Sequence, residues 1–350
     1  MQNHSIQVDH LLAFVGNVLR GSGCPDDDAM LTANCLVEAD LCGVHTHGVV
    51  RLPIYVNRLV NTYLNPHPKH NFVEKTTVCH LLDGDNGLGF VAGCRAIDRA
   101  AQIAHSFGVG VVGVRNSNHF GMAASFVRRA IDAGFASLVF TNASPAMPPW
   151  GGREALLGTS PLAAGAPSTS GKNFVLDMSP AVAARGKIRL AAKRGADIPL
   201  GMALDKHGAP TTDPHEALKG VVLPLGGHKG SGLSMMMDIF AGVLTGAAFG
   251  GDVVDQYKNP EKAQNVGHLF ILLKPGLFVS TDEFEHSLNQ LVQRVKNVPL
   301  AEGFDEILIP GEREERLRAE RMANGIVLGA DEIDQLNELA RTLGAAPLSY

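Results

Sequence analysis

In the stretch G-V-H-T-H-G-V-V-R-L-P-I-Y-V-N-R, residues 43–58, an imidazole, a guanidinium and a phenol recur at every fourth position as His47, Arg51 and Tyr55. Pro53 lacks an N–H and its ring clashes with the preceding turn, so a helix tolerates it only near its start. Residues 48–51 are therefore expected to turn the chain into a helix running through Tyr63. Side chains four apart share a helix face, which would put the three groups on one polar stripe. An acid/base group one turn from a bidentate anion receptor suits a substrate with a carboxylate beside a reactive carbon. An ordinary surface helix with a polar row has the same spacing, so the stretch needs corroboration elsewhere in the chain.

A second histidine offers it. N-S-N-H-F-G at residues 116–121 follows a buried strand and precedes a helix, where α/β proteins place their chemistry. His119 there fits either a proton donor or a ligand for a cofactor; the same residue could simply satisfy loop backbone. Three further stretches enclose polar atoms among small residues: P-P-W-G-G (148–152) with G-T-S-P (158–161), D-M-S (177–179), and L-G-G-H-K-G-S-G (225–232). Lys229 stands among glycines at the start of an apolar segment, and a helix N-terminus with a lysine makes a phosphate seat. The four-residue spacer of a P-loop is missing.

Other chemistries lack their signatures. G-L-G-F-V-A at residues 87–92 fits the Rossmann fingerprint, but the next strand ends Gly113-Val114-Arg115 without the acid that holds a ribose. G-V-G-V-V-G at 108–113 lies inside a strand. His45 and His47 are spaced too closely for a convincing metal site, and no G-x-S-x-G elbow marks a hydrolase. What remains is a nucleotide-type cofactor with an acid/base histidine and an arginine, the equipment of hydride transfer.

The elements that must position these groups can be read from periodicity and breakers. Apolar residues at helical spacing mark a helix over residues 6–20, stopped by Gly21 and Gly23. Pro25 opens a second, with Asp26, Asp27 and Asp28 at its positive end and Gly43 closing it. With the His47 helix, this predicts a helical N-terminal domain over residues 1–70, ending at N-P-H-P-K-H. From Thr76 strands (76–83, 109–114, 136–142, 173–178, 267–273) alternate with helices (92–105, 122–133), an α/β pattern over residues 71–280. Helices at 281–296, 312–324 and 331–343 would join the N-terminal layer, making residues 281–350 part of it. Residues 231–250 have membrane-span length, but Asp238 sits mid-segment, so a buried core helix is expected. Gly242, Gly246 and Gly250 would leave one face of it bare for another backbone.

Composition narrows the class. The 350 residues are 45% apolar with a net charge of −5, enough for a sizeable core and unsuited to a nucleic-acid surface. Five scattered cysteines and an N-terminus without a basic or apolar leader pattern predict a reduced, cytoplasmic protein with no membrane partner. The glycine-faced helix and the helical layer offer more apolar surface than one core hides, so a dimer or larger assembly is expected.

Together these segments resemble the type 2 malate/L-lactate dehydrogenase family, which also includes ureidoglycolate, sulfolactate and diketogulonate dehydrogenases and cyclic-imine carboxylate reductases. The resemblance covers nearly the whole chain and rests on H-T-H-G-V-V-R-L-P-I-Y, N-S-N-H-F-G, P-W-G-G…L-G-T-S-P, V-L-D-M-S…A-R-G-K, L-P-L-G-G-H-K-G-S-G-L and I-P-G-E. It implies a mixed-sheet, non-Rossmann α/β domain with a helical domain, a homodimer, and NAD or NADP bound near the dimer interface. It further implies that His47 or His119 is the proton donor/acceptor and that Arg51 holds a small-molecule carboxylate beside Thr46 and Tyr55. His119, Thr159, Asp177, Met178, Ser179, His228, Lys229, Gly230, Pro310, Gly311 and Glu312 would line the cofactor, with no metal required. Where the family usually has Ser-His-Gly, this chain has Thr46-His47-Gly48. The hydroxyl survives, and the added methyl narrows the pocket by about one carbon, worth roughly 1–3 kcal/mol in substrate choice. The implied activity interconverts a 2-oxo (or cyclic 2-imino) carboxylate and the 2-hydroxy (or 2-amino) acid. The rival is a non-catalytic nucleotide-binding protein that kept the cleft.

Overall fold

The computed structural model describes residues 3–349. An edge strand β1 (Asn3–Ile6) leads into α1 (Val8–Gly21), whose Leu11, Val15, Val18 and Leu19 form a buried stripe, and then α2 (Asp26–Leu41). Gly43, at φ +79°, supplies the left-handed residue that ends α2. The chain does not then enter one long helix. It makes two separate 3-10 turns, His45–His47 and Val49–Arg51, with extended Gly48 between them, before α3 (Leu52–Val60) begins. Pro53 does sit in the first turn of α3, but the helix stops before Thr62, which has φ +59°. His47 therefore lies off the α3 face that carries Tyr55, and the expected helical stripe is replaced by a tighter, folded-back path.

The expected strand over 76–83 is a turn followed by the second strand of a hairpin, β2 (Asn71–Thr76) and β3 (Cys79–Asp83). The charged, exposed sequence of β2 hid it, as befits an edge strand. Next come α4 (Gly89–Phe107), β4 (Val109–Ser117), α5 (Ala123–Asp132), β5 (Ala136–Thr141), a short pair β6 (Pro145–Met147) and β7 (Leu157–Gly158), β8 (Leu162–Ala166) and β9 (Phe174–Met178). A small unit follows: α6 (Arg185–Arg194), β10 (Ala203–Leu204), β11 (Pro210–Thr211), α7 (Pro214–Lys219) and β12 (Val221–Val222). It has its own core of Met147, Ile188, Ile198, Ala203, Ala217 and Val222. After α8 (His228–Met237), β13 (Val266–Leu273) returns to the main sheet, followed by α9 (Thr281–Lys296), α10 (Glu312–Asn324), β14 (Ile326–Gly329) and α11 (Ala330–Thr342).

The main sheet is mixed and open, in the order β2-β3-β4-β13-β5-β8-β9. Only β3 and β4 run parallel; every other neighbouring pair is antiparallel. That order is incompatible with a Rossmann fold. The fingerprint glycines serve packing instead. A Cβ on Gly89 would collide with the carbonyl oxygen of Asn118, so the first turn of α4 can sit against the loop carrying His119 only as glycine. One continuous core joins α1, α2, α3, α4 and α5 to the sheet and α11. β14 pairs with β1, closing the C-terminal segment onto the N-terminal helices. α10 lies against α2, whereas α9 is tied to the β8–β9 turn through Glu285 and the Thr169 N–H, 3.0 Å apart.

Residues 231–250 correct the expectation of a buried helix. α8 passes into a π-helical turn, Asp238–Val243, and the chain then breaks into turns. Met235, Ile239, Val243 and Leu244 are exposed, the last by 66%. Gly246 and Gly250 have φ of +76° and +61°, so they are turn residues, and Gly242 faces Asn142 and the Ala248 carbonyl. The glycine spacing served local turns and close intrachain approach. No helix among the described residues is long and apolar enough to cross a membrane.

Candidate active site

Four elements, the two 3-10 turns, α3 and the loop after β4, bring His47, Arg51, Tyr55 and His119 together. The imidazoles of His47 and His119 stack, with ring centroids 5.6 Å apart and planes at 21°. Tyr55, buried on α3, extends its hydroxyl to His119 Nδ1 at 2.7 Å. The same nitrogen accepts the Gly121 N–H at 3.3 Å. A backbone N–H donates only to an unprotonated nitrogen, so neutral His119 carries its proton on Nε2. His47 Nδ1 lies 3.0 Å from Thr46 Oγ1. Arg51 reaches back so that Nε donates to the Thr46 carbonyl at 2.6 Å, while Nη1 donates to the Tyr257 hydroxyl. Its guanidinium lies 5.4 Å from the centre of the Tyr257 ring.

This setting favours neutral imidazoles. Burial, then the positive charge of Arg51, pushes His47 down to about 4. Burial and the neighbouring His47, Arg51 and His268 hold His119 well below the usual histidine range. Burial raises the Tyr55 phenol, so it stays a donor. A fixed cation beside two neutral rings forms a receptor for an anion with hydrogen-bonding groups at its side.

The support for this cluster was not legible beforehand. Arg58, fully buried on α3, donates to the carbonyls of Pro260 (3.1 Å) and Lys262 (2.9 Å) and to the side-chain oxygens of Asn118 and Gln264 (each 3.1 Å). All four are neutral oxygens, and burial lowers its guanidinium to about 10. Gln264 Oε1 also accepts the His119 N–H at 3.1 Å. Asn118 donates to the Gly87 carbonyl at 2.8 Å. Arg58 thus ties α3, the His119 loop and the segment bearing Tyr257 into one assembly. Arg58 lies one residue position off the four-spaced row, and of the residues it grips Asn118 is 60 positions away and Pro260, Lys262 and Gln264 more than 200; no local pattern announces them.

The small-residue stretches also meet. The Trp150 N–H donates to Ser231 Oγ at 3.0 Å, and Ser234 Oγ donates to the Gly158 carbonyl at 2.8 Å. Ser179 Oγ donates to the Thr159 carbonyl at 3.0 Å, and the Leu225 N–H to the Pro180 carbonyl at 2.7 Å. Gly230 is enclosed by Leu225 and the Pro180 carbonyl, leaving no room for a Cβ. His228 and Lys229 stand exposed at the start of α8. Pro310 joins the group by accepting the Val175 N–H at 3.0 Å, and Gly311, at φ +96°, fits against Val175 on β9, the strand that ends at Met178.

Two acids in these stretches, exposed Asp177 and half-buried Glu312, are committed to partners within the chain. Asp177 Oδ2 accepts the Ala124 N–H at 2.8 Å, capping α5, and desolvation of its carboxyl pushes it up to about 6. Glu312 pairs with Lys296 at 2.6 Å and accepts the Ile309 N–H at 3.0 Å.

The malate/L-lactate dehydrogenase family profile matches residues 6–337. Among curated relatives, L-sulfolactate dehydrogenase of Methanocaldococcus jannaschii is 41% identical, with 94% of each chain covered. Malate dehydrogenase of Pyrococcus horikoshii is 37% identical over 97% of this chain and 96% of its own. The solved structure of the Methanocaldococcus jannaschii sulfolactate dehydrogenase superposes with a TM-score of 0.93, covering 98% of both chains at 39% identity. Agreement over the full length, in sequence and in the open mixed sheet alike, means that the chain belongs to the malate/L-lactate dehydrogenase family and is an oxidoreductase.

Proposed function

We propose that this protein is an NAD(P)-dependent reductase of a 2-oxo (or cyclic 2-imino) carboxylate, running reversibly to the 2-hydroxy (or 2-amino) acid. The observation that carries the reading is the Arg51 guanidinium placed beside the stacked imidazoles of His47 and His119. Arg51 binds the substrate carboxylate, and Tyr257 and the Thr46 carbonyl fix the plane of the guanidinium. The imidazole pair exchanges a proton with the oxygen (or nitrogen) on the adjacent carbon. His119 offers Nε2–H, its Nδ1 being occupied by Tyr55 and Gly121. When bound, a reduced nicotinamide supplies the hydride. Relatives named for malate and sulfolactate fit a short 2-hydroxy acid.

The residues at the start of α8 fit a dinucleotide's phosphates. Lys229 and His228 are exposed there, at the positive end of the α8 dipole. Thr159, Met178, Ser179 and Pro310–Gly311 supply the rest of the wall through backbone and hydroxyl groups. Asp177 and Glu312 contribute by holding α5 and the 309–312 turn in place. The exposed apolar face of Met235, Ile239, Val243 and Leu244 pairs with a second copy, giving a homodimer. Five free cysteines suit a cytoplasmic enzyme.

The test is the absorbance decay of NADH and of NADPH with pyruvate, oxaloacetate, sulfopyruvate, glyoxylate and cyclic imino acids. Turnover with at least one is expected, and parallel titrations choose the nucleotide. Tight nucleotide binding without any decay would instead favour the non-catalytic rival, which the dehydrogenase relatives do not support.

A further inference from the structure

Asp40 stands where a carboxylate is disfavoured. Its side chain is buried, 1% exposed, in the last turn of α2, where the helix dipole repels an anion. Burial, with Glu332 adding repulsion, holds its carboxyl above the usual range even though His45 and the Val49 N–H pull it down. Such a placement costs stability, and the compensation must lie in what the two oxygens hold.

They hold the segment that carries the chemistry. Oδ1 accepts from His45 Nδ1 at 2.9 Å, and Oδ2 accepts the Val49 N–H at 2.8 Å. His45 opens the first 3-10 turn and Val49 opens the second. Between them Gly48 passes over the carboxylate so closely that a Cβ would collide with both oxygens. The Asp40 carbonyl is itself held by the Gly43 N–H at 3.0 Å and by Arg321 from α10. His47 and Arg51 are the last residues of the two turns wrapped round this group.

We propose that Asp40 is a positioning residue: its carboxylate fixes the two turns and so sets the angle at which the Arg51 guanidinium and the His47 imidazole meet the substrate. This rests on the role given to Arg51 and His47 above. Since small misplacements of a substrate clamp are costly, Asp40→Ala should lower kcat/KM for the 2-oxo acid at least about 30-fold. Nucleotide affinity, read by fluorescence, should stay unchanged. Asp40→Asn keeps an acceptor for Val49 and an N–H for the other tautomer of His45, and should recover most of the loss. Gly48→Ala, which keeps the Asp40 side chain but pushes its carboxylate aside, should reproduce the Asp40→Ala kinetics, and it supplies the same readouts if Asp40→Ala does not fold.

Two measurements separate positioning from general stability. Amide hydrogen exchange should accelerate in residues 44–52 and not in β4 or β13. The loss in the double variant Asp40→Ala/Arg51→Lys should be smaller than the product of the single losses, because both act through one guanidinium. Unchanged exchange in residues 44–52, a multiplicative double variant, or a parallel loss of nucleotide affinity overturns the proposal. If the wild type reduces none of the panel while exchange in Asp40→Ala still rises only in residues 44–52, the assigned reaction fails and the hold of Asp40 on the turns stands.

Discussion

At the scale of single residues, Arg51 shows why lysine is no substitute. Its Nε and Nη1 are already aimed by the Thr46 carbonyl and the Tyr257 hydroxyl, so its remaining donors lie in a fixed plane, which suits the carboxylate proposed for it. Lysine keeps the charge and loses the plane. Arg51→Lys should lower kcat/KM at least about 100-fold, equivalent to roughly 2.7 kcal/mol, through both KM and kcat. Nucleotide affinity should hardly change. Lys229→Ala should do the reverse, weakening nucleotide binding first. Steady-state kinetics and nucleotide titrations on the two variants check this; an Arg51→Lys enzyme that loses nucleotide binding instead would mean that Arg51 serves a different ligand.

At the scale of elements, the contact of α4 with the His119 loop makes an opposed pair of expectations. On propensity alone, Gly89→Ala should help the first turn of α4 by up to about 1 kcal/mol. Sterically, the new methyl enters the Asn118 carbonyl and pushes back the residue that Arg58 grips. The clash should win: a lower melting temperature and a reduced kcat/KM are expected from thermal denaturation and turnover assays. A stabilised, fully active variant would show that α4 and the loop move apart without cost.

At the scale of the whole molecule, the core and the surface make separate claims. His268 on β13 is fully buried, bonded to Thr141 Oγ1 at 2.7 Å and Ser117 Oγ at 2.9 Å, and burial pushes it down to about 3. Its unfolded value is near 6.5, so the unfolded chain binds the proton first and stability is lost on acidification. The contribution is complete above about pH 6.5 and disappears as the pH falls through about 3. Compared with His268→Gln, the wild type should be more stable by a margin that is constant above about pH 6.5 and shrinks below it. Melting curves of both proteins across pH read this margin, and one that grows on acidification would contradict the assignment. On the surface, light scattering at micromolar concentration should give about twice the chain mass of 37.1 kDa. Leu244→Glu, which places a charge in the exposed apolar face, should yield monomer; a monomeric wild type would refute the pairing of that face.

The sequence alone located most elements and named the residues of the candidate site. Local rules governed Pro25 and Gly43, and the strands and helices around them fall where periodicity puts them, with α9 and α10 matching to the residue. His47, His119, Arg51 and Tyr55 were legible because imidazole, guanidinium and phenol are chemically distinctive at any position. What the tertiary structure decided is how they meet. The helical stripe gave way to two 3-10 turns because Asp40, buried beneath them, offers the Val49 N–H and His45 a partner that a local spacing rule cannot count. The Rossmann-like glycines became packing glycines because a carbonyl from a loop 29 residues on presses against Gly89. Arg58, Gln264 and Tyr257 entered the site through contacts across about 200 residues, and such long-range hydrogen bonds leave no periodic trace in the chain.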